Sequence, residues 1–256
     1  MITSPNTMHR FHLPPDRWDS AILDASESRH CSTVLRVVAG ERVTVFDGQG
    51  REASATVMEA APDAVRLNLG PAAKTPPPTC RVTLGQALPK GKNMDLIVQK
   101  AVELGAAQII PLLSDRTVVQ IDTEEAGKKR GKWREVAIEA CKQCGQNHLP
   151  EISSPVAPKA CFESGTRSEL LLIASLQPDA RPLKSVLAEF REVHGRLPQS
   201  ASVLVGPEGD FTPAEIALAK SHGYLPITLG PIILRTETAA IYCLSVLGHE
   251  LFGRPK

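Results

Sequence analysis

The hydrophobic positions follow two different patterns along the chain. From residue 9 to about residue 70, short β-branched runs dominate, and turn signals interrupt them at Ala39-Gly40 and at Asp47-Gly48-Gln49-Gly50. An Asp-Gly pair between two apolar runs is a strong signal for a tight turn between strands. The first pattern therefore predicts a small module of short strands, and we expect that it closes as a β-barrel.

After residue 80, apolar strands alternate with stretches of helical periodicity. Apolar residues recur at helical spacing over 93–104 and 133–144, and these stretches stop at Gly105 and Gly145, as helices commonly do. The last helix is predicted in TETAAIYCLSVLGHELF. The predicted strands are CRVTLGQAL, AAQIIPLL, ELLLIASL, ASVLVG and YLPITLG. Such alternation predicts an α/β domain with a parallel sheet that is covered on both faces.

A proline-rich segment separates the two patterns. GPAAKTPPPTC spans residues 70–80, and its three consecutive prolines stiffen the chain. We therefore predict a β module over 1–72, a linker over 73–79 and an α/β domain over 80–256.

Composition and charge restrict the function classes. Of the 256 residues, 42% are hydrophobic and 22% are charged, as in ordinary globular proteins. The net charge is only +1, so a nucleic-acid partner would need a local basic patch. No apolar run approaches the length of a membrane span, and the start has no signal-peptide core. With six cysteines, which fit reduced thiols, these features predict a cytoplasmic protein without a membrane partner.

Two glycine-containing loops follow predicted strands. In VLVGPEGDFTPAEI, an apolar run meets Gly206-Pro207-Glu208-Gly209, and Thr212-Pro213-Ala214-Glu215 predicts a capping box at a helix start. The loop has neither the dinucleotide-binding nor the P-loop pattern. A strand followed by a glycine loop and a helix can hold a ligand, but the same pattern can also be a tight turn without one.

The second loop, LGPIILRTETA, places Arg235-Thr236-Glu237 at the start of the last helix. Thr236 can cap that helix, and Glu237 complements its positive end. Arg235 opposes the helix dipole, so we expect it to have another role. The alternative is a surface arginine that pairs with Glu237.

The two loops resemble the paired loops of the RsmE-type ribosomal RNA methyltransferases, which belong to the SPOUT superfamily. The resemblance extends over nearly the whole chain, through MHRFHLP, RHCSTVLRVVAGERVTVFDGQG, KGKNMDLIVQKAVELGAAQIIPLLSDR and EACKQCGQNHLPEI. It implies a PUA-like β-barrel followed by an α/β domain with a deep trefoil knot, a rare exception to unknotted topology. It also implies methylation of N3 of a uridine in 16S ribosomal RNA of the small subunit, by a homodimer.

The same resemblance implies that three loops of the knot bind S-adenosylmethionine. Glycines there allow the backbone to approach the cofactor closely, and apolar side chains would flank its base. The implied cofactor-binding residues are Ser175, Leu176, Gly206, Pro207, Glu208, Gly209, Leu229, Gly230, Ile233, Leu234, Thr236, Thr238 and Ala239.

Two charged residues are candidates for the chemistry. We expect Arg235 to stabilise the anion that develops on the target base or to bind the target phosphate. Glu237 is a candidate proton acceptor or orienting group; the alternative is a carboxylate that only stabilises the helix start. The last helix, over 238–247, and the helix that begins at Trp133 are candidate dimer contacts.

Contacts to RNA are expected from basic side chains. The densest basic run, 128–134, is either a solvated helix start or a patch that contacts phosphates. Glu103 and Arg116 match family positions and could serve structure or RNA contact. The predicted RNA-binding residues are Arg29, His30, Arg36, Arg116, Lys132 and Arg134.

Three positions differ from the family pattern. Gln146 and Ile232 stand where basic residues are usual, and Asp210 replaces a glycine that follows Gly209. Asp is among the residues that tolerate a positive φ. The two lost basic residues leave open a shifted target, such as another base or a ribose hydroxyl. A third hypothesis is a non-catalytic RNA-binding assembly factor.

Cys141 and Cys144 are spaced as in metal and redox motifs, and His148 follows closely. A zinc site would need a second pair of ligands, which the sequence lacks. We therefore predict no metal and interpret these cysteines as helix residues on one face.

Overall fold

A computed structural model describes residues 8–91, 93–117, 121–163 and 168–253. The chain divides into two compact units, one formed by Met1–Pro77 with Ile138–Leu149 and the other by Pro78–Ala137 with Pro150–Lys256. Residues 138–149 thus belong to the same unit as the N-terminal part of the chain, whereas the sequence prediction has one boundary at 73–79.

The N-terminal unit is built on a four-stranded sheet with the order β1-β2-β3-β4. Strand β1 is parallel to β2, and the other neighbours are antiparallel. The predicted turn lies between β2 and β3, where the Asp47 carboxylate accepts hydrogen bonds from the Gln49 and Arg51 amides at 2.7 and 2.9 Å. Closure of this sheet into a barrel stays a prediction. The strands are β1 (Arg10–His12), β2 (Arg42–Phe46), β3 (Arg51–Ala60) and β4 (Val65–Lys74).

A short helix packs into this unit beside the last turns of a long one. Helix α1 (Ala25–Arg29) is capped by the Asp24 side chain and continues into a π-helix over His30–Val34. Inside the unit, the Lys142 ammonium lies 3.0 Å from Glu27 Oε1 and 2.7 Å from Glu139 Oε1. Both the Glu27 and the Lys142 side chains are only 8% exposed, so a buried ion pair fixes α1 in this unit.

The second unit contains a seven-stranded sheet with the order β7-β6-β5-β10-β8-β11-β9, and every neighbouring pair is parallel. The five predicted strands and their parallel arrangement are confirmed. The two-residue strands β7 and β9 lie at the edges and were not predicted. The strands are β5 (Arg81–Ala87), β6 (Gln108–Leu112), β7 (Glu151–Ile152), β8 (Leu170–Ala174), β9 (Arg181–Pro182), β10 (Ser200–Val205) and β11 (Leu225–Thr228).

Helices follow most of these strands. Helix α7 contacts β5, β10 and α2, and it buries a stripe that includes Ala240, Leu244 and Leu247. Among the described residues, no helix is both long and apolar enough to span a bilayer. The helices are α2 (Asn93–Glu103), α3 (Thr123–Cys144), α4 (Pro158–Glu163), α5 (Leu183–His194), α6 (Pro213–Ser221) and α7 (Thr236–Leu251).

The centre of the sheet is tightly packed behind the carboxyl ends of the strands. A Cβ atom on Gly85 of β5 would lie 2.3 Å from Leu204 Cδ2 on the neighbouring strand β10, so only glycine allows this approach. Because all strands are parallel, the loops that follow β8, β10 and β11 leave the sheet at the same edge. This edge is where the sequence predicts a ligand.

Candidate active site

The loops after β8, β10 and β11 surround an open cleft at the carboxyl edge of the sheet, which is where parallel α/β sheets bind their ligands. All but two of the predicted cofactor-binding residues line this cleft, and the exceptions are Gly209 and Thr238. The structure therefore brings together residues that the chain separates by more than fifty positions. Lining residues that were not predicted are Ala174, Val205, Asp210, Thr228 and Ile232.

The first loop begins where β8 ends. The Ser175 amide donates to the Ile227 carbonyl of β11 at 3.0 Å, and the Ser175 hydroxyl accepts from the Gln177 amide at 3.1 Å. Leu176 then leaves the sheet, and 63% of its side chain is exposed. The Leu176 amide donates to Asp210 Oδ2 at 3.1 Å, so this loop is fastened to the second one.

The second loop, 206–210, has little space for a side chain at its start. A Cβ atom on Gly206 would lie 3.0 Å from the backbone nitrogen of Phe211. Asp210 adopts a left-handed conformation with φ 61°, and its carboxylate accepts from the Phe211 amide at 2.8 Å. The loop is thus defined by a glycine that permits close backbone packing and by an aspartate that tolerates a positive φ.

The predicted capping box closes this loop and is confirmed. The Glu215 amide donates to the Thr212 hydroxyl, and Glu215 Oε2 accepts from the Thr212 amide at 2.8 Å. The Glu215 side chain is buried and also accepts from the Asp115 amide at 3.0 Å. Helix α6 therefore begins at a fixed position against the loop that follows β6.

Two further contacts support the second loop from outside. Glu208 Oε1 accepts from the Lys90 amide at 2.9 Å, and the Arg116 guanidinium donates to the Gly209 carbonyl. Arg116 is therefore engaged in supporting the loop, and its predicted contact to RNA stays a prediction. A Cβ atom on Gly209 would meet only Arg116 Cδ, at 3.6 Å, so Gly206 is the more restricted of the two glycines.

The third loop, 229–235, presents apolar side chains at the mouth of the cleft. Gly230 has φ 119°, which only glycine adopts without strain. Ile232 and Ile233 are about three-quarters exposed, at 74% and 75%, and Leu234 is half-buried. Large apolar side chains that are exposed beside a cleft often mark a surface that a ligand or partner covers.

The role predicted for Thr236 at the helix start is wrong. Arg235 is the N-cap residue of α7, and no side chain caps the helix. The Thr236 hydroxyl instead donates to the Gly206 carbonyl at 2.7 Å and accepts from Gln86 Nε2 at 2.9 Å. A threonine of the third loop thereby holds the backbone of the second, and the buried Gln86 of β5, which the sequence analysis missed, holds the threonine.

Arg235 and Glu237 lie beside the cleft. Arg235 is exposed between Leu234 and Thr236, both of which line the cleft, and Glu237 is half-buried in the first turn of α7. Within the part of the chain that the structure describes, these two side chains form no ion pair with each other. The ion pair in the alternative interpretation is therefore wrong, whereas the surface position of Arg235 agrees with both interpretations.

The other predicted RNA-binding residues lie in both units. In the N-terminal unit, Arg29 and Arg36 are exposed, and Arg36 has φ 57°. His30 is half-buried, and burial, followed by the nearby Lys142 charge, lowers the pKa of its imidazole. In the C-terminal unit, Lys132 and Arg134 are exposed on α3, and Lys132 pairs with Asp95.

The cysteine pair does not have the character of a metal site. Cys141 is buried and Cys144 is exposed, and burial raises the pKa of the Cys141 thiol to about 12. Within the part of the chain that the structure describes, neither cysteine belongs to a group of three or more side chains whose ligand atoms lie together. In the N-terminal unit, the ligand atoms of Glu27, His30 and Glu139 lie close together, but the Lys142 ammonium is hydrogen-bonded to all three.

Comparisons with known proteins agree with this architecture. A family model described as an RNA methyltransferase domain matches residues 75–248, and one described as an RNA methyltransferase PUA domain matches residues 23–69. The first match covers more than half of the chain. It defines the class of the protein as that of the RNA methyltransferases.

Individual relatives define the family more closely. Ribosomal RNA small subunit methyltransferase E from Mycobacterium bovis is 30% identical over 241 residues, which cover 91% of this chain and 88% of that protein. The crystal structure of the Neisseria gonorrhoeae protein of the same name, bound to S-adenosyl methionine, has a TM-score of 0.81 and 30% identity, with 94% of this chain and 96% of that chain covered. The chain belongs to the ribosomal RNA small subunit methyltransferase E family.

A further solved structure shows the same fold. A protein from Legionella pneumophila in complex with the bound cofactor SAM has a TM-score of 0.84 and 32% identity, with 95% of this chain and 98% of that chain covered. The predicted fold class, a SPOUT α/β domain with a parallel sheet after a small PUA-like β domain, is confirmed. The trefoil knot stays a prediction.

Proposed function

We propose that this protein transfers the methyl group of S-adenosylmethionine to N3 of a uridine in the 16S ribosomal RNA of the small subunit. The observation that carries the proposal is the convergence of three loops on one cleft at the carboxyl edge of the parallel sheet. The names of its relatives and the cofactor bound by its structural neighbours support it.

The residues of the cleft fit this cofactor. Leu176 and Ile233 offer apolar surface for an adenine ring, and Gly206 leaves the wall of the second loop without a side chain. The carboxylates of Glu208 and Asp210 suit a ligand that carries a positive charge. When bound, S-adenosylmethionine supplies an activated methyl group.

The protein then has to position the target base and manage its proton. Uridine N3 becomes a good nucleophile only when it loses its proton, so negative charge develops on the base. The Arg235 guanidinium is exposed beside the cleft, and we assign to it the stabilisation of this charge or the binding of the target phosphate. Glu237, one residue beyond Thr236, is our candidate for accepting or orienting the proton.

The wider setting follows from the same family. We propose that the protein acts in the cytoplasm as a homodimer, with a knotted C-terminal domain, and that Arg29, His30, Arg36, Lys132 and Arg134 contact RNA. We propose 1–72 and 80–256 as the domain bounds along the sequence; the division by compactness differs from them, because it places 138–149 in the first unit.

The test is methylation by the purified protein with labelled S-adenosylmethionine. The substrates are 16S ribosomal RNA and small subunits from a strain that lacks the gene, and mass spectrometry of nuclease fragments locates the product. We expect one methyl group at N3 of one uridine. Gly206→Ala should reduce the yield of product, because its Cβ would lie 3.0 Å from the Phe211 nitrogen and the second loop would have to shift to make room. The matched control Gly127→Ala lies in α3 with no atom near its Cβ and should keep the activity.

Each other result has a defined meaning. A label at another base or at a ribose would contradict the proposed target and establish the alternative that Gln146 and Ile232 leave open. RNA binding without any transfer by the wild-type protein would contradict the enzymatic proposal and favour a non-catalytic assembly factor. Equal activity of Gly206→Ala and the wild type would show that the second loop accommodates a side chain at this position, and would contradict the requirement for glycine there.

A further inference from the structure

Asp210 occupies an unusual position in the wall of the cleft. It has a positive φ of 61°, and its two carboxylate oxygens have different partners. Oδ1 accepts from the Phe211 amide at 2.8 Å, and Oδ2 accepts from the Leu176 amide of the first loop at 3.1 Å. The carboxylate is thereby held in one orientation between the first and second loops, at the cleft.

The charges that line the cleft all have the same sign. Glu208 and Asp210 are the only charged side chains among the described lining residues, and no lysine, arginine or histidine accompanies them. Glu208 is exposed and bonds to the Lys90 amide, whereas Asp210 is half-buried. A half-buried charge is screened less by solvent, so Asp210 should contribute more than Glu208 to the potential inside the cleft.

The two forms of the proposed cofactor differ in net charge. S-adenosylmethionine carries a sulfonium, an ammonium and a carboxylate, and its net charge is therefore positive. When the methyl group leaves, the sulfonium becomes an uncharged thioether, and S-adenosylhomocysteine is neutral overall. A fixed carboxylate in the wall favours the charged form over the neutral one.

We propose that Asp210 is a specificity-determining residue that makes the cleft prefer S-adenosylmethionine to its demethylated product. The inference rests on the proposed function, because it takes the cofactor from there. The carboxylate selects by charge, and its hydrogen bond to Leu176 places that charge in the wall. The same interaction weakens product binding relative to cofactor binding, which favours release after each transfer.

Variants separate the charge of Asp210 from its hydrogen bond to Leu176. Asp210→Asn removes the charge and keeps one oxygen that can accept from the Leu176 amide, whereas its NH2 group cannot accept from the Phe211 amide; asparagine tolerates a positive φ. Asp210→Gly removes both the charge and the hydrogen bonds, and glycine adopts this conformation freely. Glu192→Gln is the matched control, since it removes one negative charge from an exposed position on α5, outside the cleft.

Calorimetric titration of each variant with S-adenosylmethionine and with S-adenosylhomocysteine tests the proposal. We expect the ratio of the product Kd to the cofactor Kd to fall about 3- to 20-fold in Asp210→Asn and in Asp210→Gly, and to stay unchanged in Glu192→Gln. Sinefungin, an analogue in which an amine carries the positive charge, should lose affinity in parallel with S-adenosylmethionine. Thermal unfolding identifies any variant that does not fold.

If the ratio of the product Kd to the cofactor Kd does not change in Asp210→Asn, the proposal is overturned. This holds even if the ratio falls in Asp210→Gly, because the hydrogen bonds of Asp210, and not its charge, would then determine the preference. If Asp210→Asn does not fold, the three ligands are compared in Asp210→Gly. A loss of affinity for S-adenosylmethionine and sinefungin but not for S-adenosylhomocysteine supports the charge, and equal losses for all three overturn the proposal. Failure of the wild-type protein to bind any of the three ligands would overturn the proposed function, and this inference with it. If the wild type binds these ligands and Asp210→Asn has the same ratio of product Kd to cofactor Kd as the wild type, only the inference about Asp210 is overturned.

Discussion

The hydroxyl of Thr236, at the end of the third loop, joins that loop to the second loop by one hydrogen bond to the Gly206 carbonyl. A hydroxyl has only one proton to donate, and Gln86 Nε2 donates to the Thr236 oxygen at 2.9 Å, so that proton is directed to the Gly206 carbonyl at 2.7 Å. Gln86 Nε2 also donates to the Ala87 carbonyl at 2.8 Å. If the amide were reversed, Oε1 would face that carbonyl oxygen, and two acceptors cannot form a hydrogen bond. The direction of every bond in this chain is therefore fixed by one buried amide.

Gln86 also shows what this arrangement costs. Its side chain is fully buried, and Oε1 has no hydrogen-bond partner within the described residues. An unsatisfied buried oxygen costs about 1–3 kcal/mol, and such exceptions often accompany function. We conclude that Gln86 is a positioning residue, which holds Thr236 and, through it, the Gly206 carbonyl.

Gln86→Met tests this role, because methionine has a similar length but no donor. We expect the affinity for S-adenosylmethionine to fall about tenfold, since the Thr236 hydroxyl can then rotate away from Gly206. Calorimetry gives the affinity, and urea denaturation gives the stability. Thr236→Val should weaken binding to a similar extent, and the double variant should be little worse than either single one. Fully additive losses would show that Gln86 does not act through Thr236.

At the scale of elements, the sequence predicts the strands and the loops that follow them better than it predicts where the helices begin and end. The apolar runs predict the five main strands, and Thr212 and Glu215 predict the start of α6. Helix α5 was not predicted, although Leu183, Val186 and Leu187 form a buried face at helical spacing. The sequence predicts no element for this stretch, which directly follows Pro178 and Pro182.

The start of α3 was missed for a physical reason. The helix begins at Thr123, before Trp133, but its first turns are rich in charges and include Gly127 and Gly131. They have no apolar stripe for a periodicity argument to detect. Ion pairs one turn apart, Glu124 with Lys128 and Glu125 with Lys129, support them instead. Likewise, nothing near Gln86 in the sequence indicates its partner Thr236, since that contact exists only in the folded sheet.

The other end of α3 contributes the buried ion pair between Lys142 and Glu27, inside the N-terminal unit. Burial raises the pKa of Glu27 above 4.5, and the Lys142 charge acts in the opposite direction. Breaking a buried pair by removing one partner costs about 3–5 kcal/mol, because a charge stays behind without compensation. This pair should therefore matter more than any exposed pair on the same helix.

We expect Lys142→Met to destabilise the protein by about 3 kcal/mol near neutral pH. Without Lys142, the pKa of Glu27 rises further in the folded state while it stays near 4.5 in the unfolded state. In the folded variant, the Glu27 carboxyl then keeps its proton up to a higher pH than in the unfolded chain. The stability of the variant therefore falls as the pH rises from about 4.5 through the pKa of Glu27 in the folded state. Urea denaturation should therefore show a smaller loss at about pH 5 than at about pH 7.5.

Lys128→Met is the matched control on α3, since Lys128 forms only an exposed pair with Glu124. Its loss should change the stability by less than about 0.5 kcal/mol at either pH. If Lys142→Met were equally destabilising at both pH values, packing of the lysine stem, and not its charge, would be the stabilising interaction.

At the scale of the whole molecule, the chain enters the N-terminal unit twice. After leaving it near Pro77, the chain returns at 138–149 before it completes the second sheet. In the N-terminal unit, the buried Asn147 accepts from Arg10 at 2.8 Å and donates to Thr75 at 2.9 Å. Residues 1–77 expressed alone would therefore lack the polar partners that Asn147 and Lys142 supply to Arg10, Thr75 and Glu27, and experiments on RNA binding are best done with the full chain.

The charge of the whole molecule makes a prediction about RNA binding. With a net charge of only +1, long-range attraction is weak, so binding should depend on individual contacts to phosphates. Each such contact adds about 0.7–0.9 to the slope of log K against log salt concentration. Arg36→Asn and Arg134→Gln should each weaken binding to 16S ribosomal RNA and reduce this slope by about that amount, as measured by fluorescence anisotropy across a salt series.

These two variants also report on the units separately, because Arg36 belongs to the N-terminal unit and Arg134 to the C-terminal one. If both units bind the same RNA, the double variant should reduce the slope by about the sum of the single effects. Arg191→Gln, on the exposed side of α5, is the control for the loss of one positive charge and should leave the slope unchanged. Asparagine suits the positive φ at Arg36, so weaker binding by that variant would not reflect new backbone strain. A slope that stays constant in both variants would contradict their assignment as phosphate contacts.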